Sequence, residues 1–566
     1  MKINRFCLII LICITCIFTG CKGKNKNKEE HIHNYINGEC SCGDKLDQIN
    51  GVTHIHTYQR GICDCGNRVK ETENLDYKLS DDKTYYIVTG MGSNRGKLTH
   101  LVVPSFYNDL PVQEIGEEAL RDRVLSSVIL QEGIRIIGER AFDDSGELRE
   151  IHLPQTLEII SKYAFSECNI EKLVLPTNVV TISDYAFYGC KNLKSVHFSK
   201  SVQFIGENAF YGSTNLENIT VDVNNQNYVA IDNVLYTKDL KTLVKYPPLK
   251  ANKTFEILDS ITKIEDYAFD RCNNLENVIL SSNLTDISTY AFSLCNNLKY
   301  NELDNIKYLG SKDNLYDLAI GYIDSSITKC KINSNTKIIA NFCFENYFKL
   351  EEITLSEGLI SIGKSAFRIC SSLKSLSIPS SVETIKGTIF YGCSSLTLLN
   401  VSEDNKFYKA IYSVLYSKDG KILYEYAYGL KNSNFEIPYG VEEISDFAFN
   451  YCSSLNQIVI PETVKRIGNA AFRGTSISNI SLPKSVQHIG DNAFAFTNIK
   501  SIYITSNVIT IGEYVFDNCY NIVIYCENTQ KPDGWNYYWC YEPESNADGY
   551  YYPPKSYEVI WDYNAK

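Results

Sequence analysis

The sequence predicts a right-handed β-solenoid of short stacked repeats, interrupted by β-hairpin insertions. Three observations predict it. A phrase of the form Ile-Gly-x-x-Ala-Phe returns every 22 or 23 residues through most of the chain. The residues before each phrase alternate apolar and polar in runs too short for helices. Two of the three interruptions have the same length and nearly the same sequence. A fixed period of this size is the signature of a unit that buries its apolar face only against its neighbours.

The chain has 566 residues, 44% hydrophobic and 22% charged, a globular balance with room for several cores. Its net charge of −12 argues against a nucleic-acid binder, which carries a basic face. Residues 1–20 read as a signal peptide. "MKINR" supplies the positive start and "CLIILICITCIFTG" the short apolar run, too short for an ordinary spanning helix. "FTGC" resembles the bacterial lipoprotein box, which implies cleavage and lipidation at Cys21. Residues 21–30 then form a polar tether. The expectation is an exported chain, anchored by lipid to the membrane at the bacterial surface, at about 0.8 kcal/mol per buried acyl CH₂.

Residues 31–74 hold two small His/Cys modules, at 31–45 and 54–68. "HIHNYINGECSCG" carries His31, His33, Cys40 and Cys42; "HIHTYQRGICDCG" repeats the pattern with His54, His56, Cys63 and Cys65. Two nitrogens and two sulfurs suit a closed tetrahedral Zn²⁺ site with no catalytic vacancy, so two structural zinc ions are expected. The one-residue spacing inside each pair is shorter than the usual zinc spacing. A module this small needs a staple. Zinc, disulfides paired across the modules, and a linker that binds metal transiently all remain open. A chain that captures metal with these modules is the alternative function.

Residues 75–112 read as an N-terminal β cap, and 113–524 as the solenoid. The phrase appears fourteen times, from "IGEEAL" at Gly116 to "IGEYVF" at Gly512. In the clean copy "LKSLSIPSSVETIKGTIFYGC" (373–393), "LKSLSIP" is a half-buried strand and "VETI" a second brief extended piece. Gly or Ser after the Ile is expected to permit a tight corner, and "AFxxC" turns the chain inward. These residues resemble the BspA-like leucine-rich repeat family of bacterial surface proteins, over about 100–524. The resemblance implies a surface antigen or adhesin that contacts an extracellular protein or glycan on host or neighbouring cells.

Insertions lie near 220–250, 301–330 and 400–430. "VLYTKDLKTLVKY" from Val234 and "VLYSKDGKILYEY" from Val414 sit 180 residues apart, which indicates a block duplication. Each reads as a β-hairpin around a Lys-Asp turn, projecting from the stack with exposed tyrosines such as Tyr236 and Tyr416. Residues 525–566 hold all three tryptophans and read as an aromatic-rich C-terminal cap.

Cysteines in the AFxxC slot are expected to be buried thiols; Cys526 and Cys540 are the better disulfide candidates. The central position of each long strand forms an outward column and a candidate contact face: Ile129, His152, Val174, His197, Thr220 and Tyr503, with Ile279, Thr354, Ser377 and Val459. His152 and His197 are two units apart, too far to share a metal. No nucleophile elbow, phosphate loop or HExxH pattern occurs, so no catalytic residues and no enzyme activity are expected.

Overall fold

The computed structural model describes residues 58–59, 62–63, 70–96, 98–542 and 555–563, with backbone alone at 58–59, 62–63, 541–542 and 555–556. The expected signal, Cys21 and the first His/Cys module lie outside the described residues, as do His54, His56 and Cys65. Of the second module, Tyr58–Gln59 pairs antiparallel with Ile62–Cys63. One compact unit runs up to Asp239 and includes Tyr246–Lys250; the other comprises Leu240–Lys245 and everything from Ala251 onward.

Both units are stacks of parallel strands with almost no helix. Each coil contributes a long strand of three or four residues and a short one of two. In the first unit, Lys172–Val174, Ser195–Phe198 and Asn218–Val221 pair in parallel and in register. The short strands Ile136–Ile137, Ile159–Ile160 and Thr181–Ile182 form a second parallel stack. In the second unit, Lys329–Lys331, Glu352–Thr354, Ser375–Ile378 and Leu398–Val401 repeat the long-strand arrangement. The N-terminal strands Asp76–Leu79 and Tyr86–Gly90 extend the short-strand stack of the first unit.

Register follows from the sequence period: every apolar slot meets its own copy in the next coil. The Phe of each phrase stacks on the next, with Phe142, Phe165 and Phe187 at 5.1 and 5.3 Å, and Phe449, Phe472 and Phe494 at 5.3 and 5.5 Å. All six are fully buried. Each of these six Phe N–H groups donates to the Ala-slot carbonyl of the following coil, as Phe142 does to Ala164 at 2.8 Å. The turn therefore carries a backbone ladder as well as a spine of rings.

The glycine slot works differently from the expected corner. Gly206, Gly363 and Gly468 do not have a left-handed φ. A Cβ at Gly206 would lie 2.3 Å from Asp184 N, and one at Gly363 2.3 Å from Asn341 N. Glycine is there because the preceding coil's backbone packs against it. The left-handed residues stand just before the Ala, and most are not glycine: Arg140, Tyr163, Tyr185 and Asn208 have φ of 52–56°.

The AFxxC slot is a hydrogen-bonding device. Cys168, Cys190, Cys370 and Cys393 donate from Sγ to the Phe carbonyl of the preceding coil, at 3.0–3.1 Å. Ser213 does the same with Oγ toward Phe187 O at 3.2 Å, and Ser145 Oγ donates at 3.2 Å to the carbonyl of Leu120, which takes the Phe place in its coil. A small side chain with one donor gives a buried carbonyl its second partner there, beside the backbone N–H three residues further on. These cysteines, with Cys526 and Cys540, are buried free thiols.

Candidate recognition surface

The insertions are built from strands that replace a coil. In the second unit, Tyr408–Ile411, Val414–Ser417 and Ile422–Tyr426 form an antiparallel meander. Its last strand pairs in parallel with Glu443–Ile444 and so begins the next short-strand stack. Asn301–Leu303, Ile306–Leu309 and Leu318–Tyr322 repeat this design. In the first unit, Tyr228–Ile231 pairs antiparallel with Val234–Thr237. The expected projecting hairpins are thus corrected: in the second unit they are in-line elements of the stack.

The same integration corrects the tyrosines. Tyr236 is 2% exposed and Tyr416 is 1% exposed, so neither offers a contact surface. Both belong to apolar "VLY" strands that bury three successive residues. The tyrosines at the start of the two duplicated insertions cap the coil before them. Ile205 N–H donates to the Tyr228 hydroxyl at 3.0 Å, and Ile385 N–H to the Tyr408 hydroxyl at 2.8 Å. Asn225 and Asn405 brace these starts. Asn405 Nδ2 donates to Pro379 O and Val382 O at 2.9 Å, while its Oδ1 accepts from Phe407 and Tyr408 N–H.

Positions 245 and 425, related by the duplication, both carry buried charged residues. The Glu425 carboxylate accepts from Ile389 N–H at 2.8 Å and Phe390 N–H at 3.2 Å. It fills the place of the coil carbonyl that the insertion removes. Burial pushes its carboxyl up to about 8, against the pull of the two N–H groups. Lys245 donates to Tyr267 O at 2.8 Å, and burial holds its ammonium below the ordinary value.

Within each short sheet of long strands the outer positions are paired in register. Val102, Ile129 and His152 are paired neighbours, and so are Val174, His197 and Thr220. Val174 is 44% exposed and Thr220 exposed; Ile129, His152 and His197 are half-buried. His197 Nδ1 lies 2.9 Å from Thr220 Oγ1. Burial lowers the His152 pKa, with Glu150 opposing it. In the second unit Thr354, Ser377 and Val459 continue the exposed positions.

Two aromatic clusters escaped the sequence reading, one around Tyr503 in the long-strand column and one in the turns, off that column. Tyr503 pairs with Tyr525, and Tyr563 lies 4.5 Å from the Tyr525 ring centroid and 5.9 Å from that of Tyr503. The 22-residue step from Tyr503 to Tyr525 is the signal that would have found it. Tyr163 stacks on Tyr185 at 4.9 Å, with Arg140 5.1 Å from the Tyr163 ring. The C-terminal tryptophans lie against the final Phe instead of on the surface: Trp535 and Trp539 are each 2% exposed, and Trp539 meets Phe516 edge-on at 6.3 Å.

Among the described residues, no cluster of His, Cys, Asp or Glu could hold a metal ion. No helix there is long and apolar enough to cross a membrane.

No curated protein matches the sequence. Among solved structures, a leucine-rich repeat protein from Eubacterium ventriosum is 22% identical over 75% of this chain and 94% of that one, with a TM-score of 0.31. The pneumococcal vaccine antigen PcpA is 17% identical, covering 79% and 95%, with a TM-score of 0.35. A leucine rich cell surface protein from Faecalibacterium prausnitzii is 18% identical, covering 82% and 95%, with a TM-score of 0.32. The family model for the BspA type leucine rich repeat region matches in six copies, over residues 113–236, 249–313, 321–416 and 421–538. The match spans most of the chain, and this protein belongs to the BspA-type leucine-rich repeat family.

Proposed function

We propose that this chain is a lipid-anchored protein of the bacterial cell surface that recognises an extracellular protein or glycan. The observation that carries this reading is the outer row of the long strands, an in-register column of exposed and half-exposed side chains. Each position adds a small contact, and the stack repeats them at about 4.8 Å. The signal and lipobox at Cys21 support the surface placement. The absence of a catalytic motif from the sequence favours binding over chemistry.

The test is a screen of the full chain against arrays of extracellular proteins and glycans, beside the double variant Val174→Glu with Thr220→Glu. A ligand bound by the wild type and lost in the variant supports the reading. Undiminished binding by the variant opposes it. The His/Cys modules act in this proposal as zinc-stapled beads of the stalk. Metal analysis of the purified chain should then give two zinc ions per molecule; a zinc-free chain with reduced cysteines opposes the staple.

A further inference from the structure

The insertion at 301–330 opens a groove that neither repeat symmetry nor the outer row accounts for. Its first part has a volume near 320 Å³ and is lined by Tyr290, Tyr300, Lys307, Gly321, Tyr322 and Phe342. Its second, near 600 Å³, shares Tyr300 and Lys307. Both volumes fall in the range of small-ligand sites. We propose that this groove binds a glycan carrying an acidic sugar, with the rings taking the apolar faces of pyranoses and Lys307 taking the carboxylate.

Three features carry the assignment. Four aromatic rings line one cleft, each half-buried. They are braced from behind: Tyr322 stacks on Tyr347 at 4.2 Å, and the Tyr290 hydroxyl donates to Glu345 Oε2 at 2.6 Å. Rigid rings with apolar faces and polar edges offer contact area at little entropy cost. Lys307 is the available charge. Its ammonium lies 5.6 Å from the Tyr300 ring centroid, and no carboxylate pairs with it among the described residues, its cross-strand neighbour Glu302 included. Glu345, the acid on the same wall, is already paired with Arg368.

Gly321 is the third feature. It sits inside the strand Leu318–Tyr322, opposite Lys307, where a side chain would be expected. A Cβ there would meet only Thr289 Oγ1, at 4.0 Å. The register shifts beside it, opposite Lys307 and Tyr308, but its φ is not left-handed and a Cβ has room, so glycine is not forced there; its effect is to leave the cleft open.

The inference rests on reading the chain as a recognition protein, and adds a ligand class and a place. The experiment titrates the full chain with 3′-sialyllactose, an oligogalacturonate and neutral laminarihexaose, using wild type, Gly321→Leu and Lys307→Met. The expected result is binding of an acidic probe, weakened at least tenfold by Gly321→Leu and by Lys307→Met, with melting temperatures unchanged. No saccharide binding at millimolar concentration overturns it, as does binding indifferent to Gly321→Leu. Equal binding of the neutral hexaose, insensitive to Lys307→Met, overturns the acidic-sugar assignment. A peptide or protein ligand that Gly321→Leu blocks also overturns the inference, while leaving the recognition reading intact.

Discussion

Glu425 gives the sharpest energetic prediction. Its side chain is 4% exposed and holds two backbone N–H groups of the preceding coil. Its carboxyl moves from 4.5 up to about 8 on folding. Between these values the folded chain keeps a proton that the unfolded chain has lost. Stability is therefore highest at low pH and falls as pH rises through this window, flattening above it. At about 1.36 kcal/mol per pH unit, the loss reaches about 5 kcal/mol. For a cooperative unit of about 300 residues this amounts to roughly 8 °C in melting temperature.

Glu425→Gln removes the titration and keeps a carbonyl acceptor for one of the two N–H groups; the loss of the other bond lowers stability equally at every pH and leaves the slope to report the titration. The Cys393 and Cys452 thiols nearby are pushed upward by burial and by Glu425 itself, so they stay protonated throughout. Calorimetry from pH 5 to 9 should show the wild type losing stability relative to Glu425→Gln by about this amount. Protection factors at Ile389 and Phe390, corrected for the base catalysis common to all amides, should fall over the same range in the wild type alone. Identical pH slopes for the two proteins would refute the reasoning, because the carboxylate would then be ionised in both states.

The remaining predictions concern the devices that replace regular coils. Cys370→Ser should keep the hydrogen bond to Phe344 O and cost little, whereas Cys370→Ala leaves that carbonyl with the Tyr347 N–H alone and should cost about 1 kcal/mol in urea unfolding. Asn405→Ala breaks four hydrogen bonds at the start of an insertion and should cost at least about 3 kcal/mol by the same assay; Asn225→Ala should behave alike. Tyr412 stands 88% exposed at a hairpin tip with φ of 49°, where the matching turns carry Asp232-Asn233 and Asp304-Asn305. Tyr412→Asn should therefore stabilise the chain by about 1 kcal/mol.

The periodic part of the fold was legible because every coil repeats the same burial problem. The spacing of the Ile, Ala and Phe slots dictated parallel stacking, and the side-chain alternation of "LKSLSIP" assigned its inner and outer faces. What the sequence hid was what happens where the period breaks. "VLYSKDGKILYEY" announced two strands and a turn, and these exist. It did not announce the strand Tyr408–Ile411, whose turn is Tyr412-Ser413 instead of a recognisable Asn-Gly. With that strand added, Val414–Ser417 becomes central and Tyr416 is buried. The AFxxC cysteines were legible as core residues but not as donors, since only the coordinates show the Phe carbonyl they reach. Glu425 looked like a surface acid because its partners are main-chain groups 35 and 36 residues away.

The central claim is that the outer row of the long strands faces a macromolecular partner. The most direct measurement places a photo-crosslinking residue at Thr220 in the first unit and at Thr354 or Val459 in the second, each exposed at the outer position of its long strand, and at Lys162, exposed in a turn. The full chain is then irradiated on cells and extracellular material. The account predicts discrete adducts from the three row positions and none from Lys162. Adducts from Lys162 alone, or none from any row position, would contradict it.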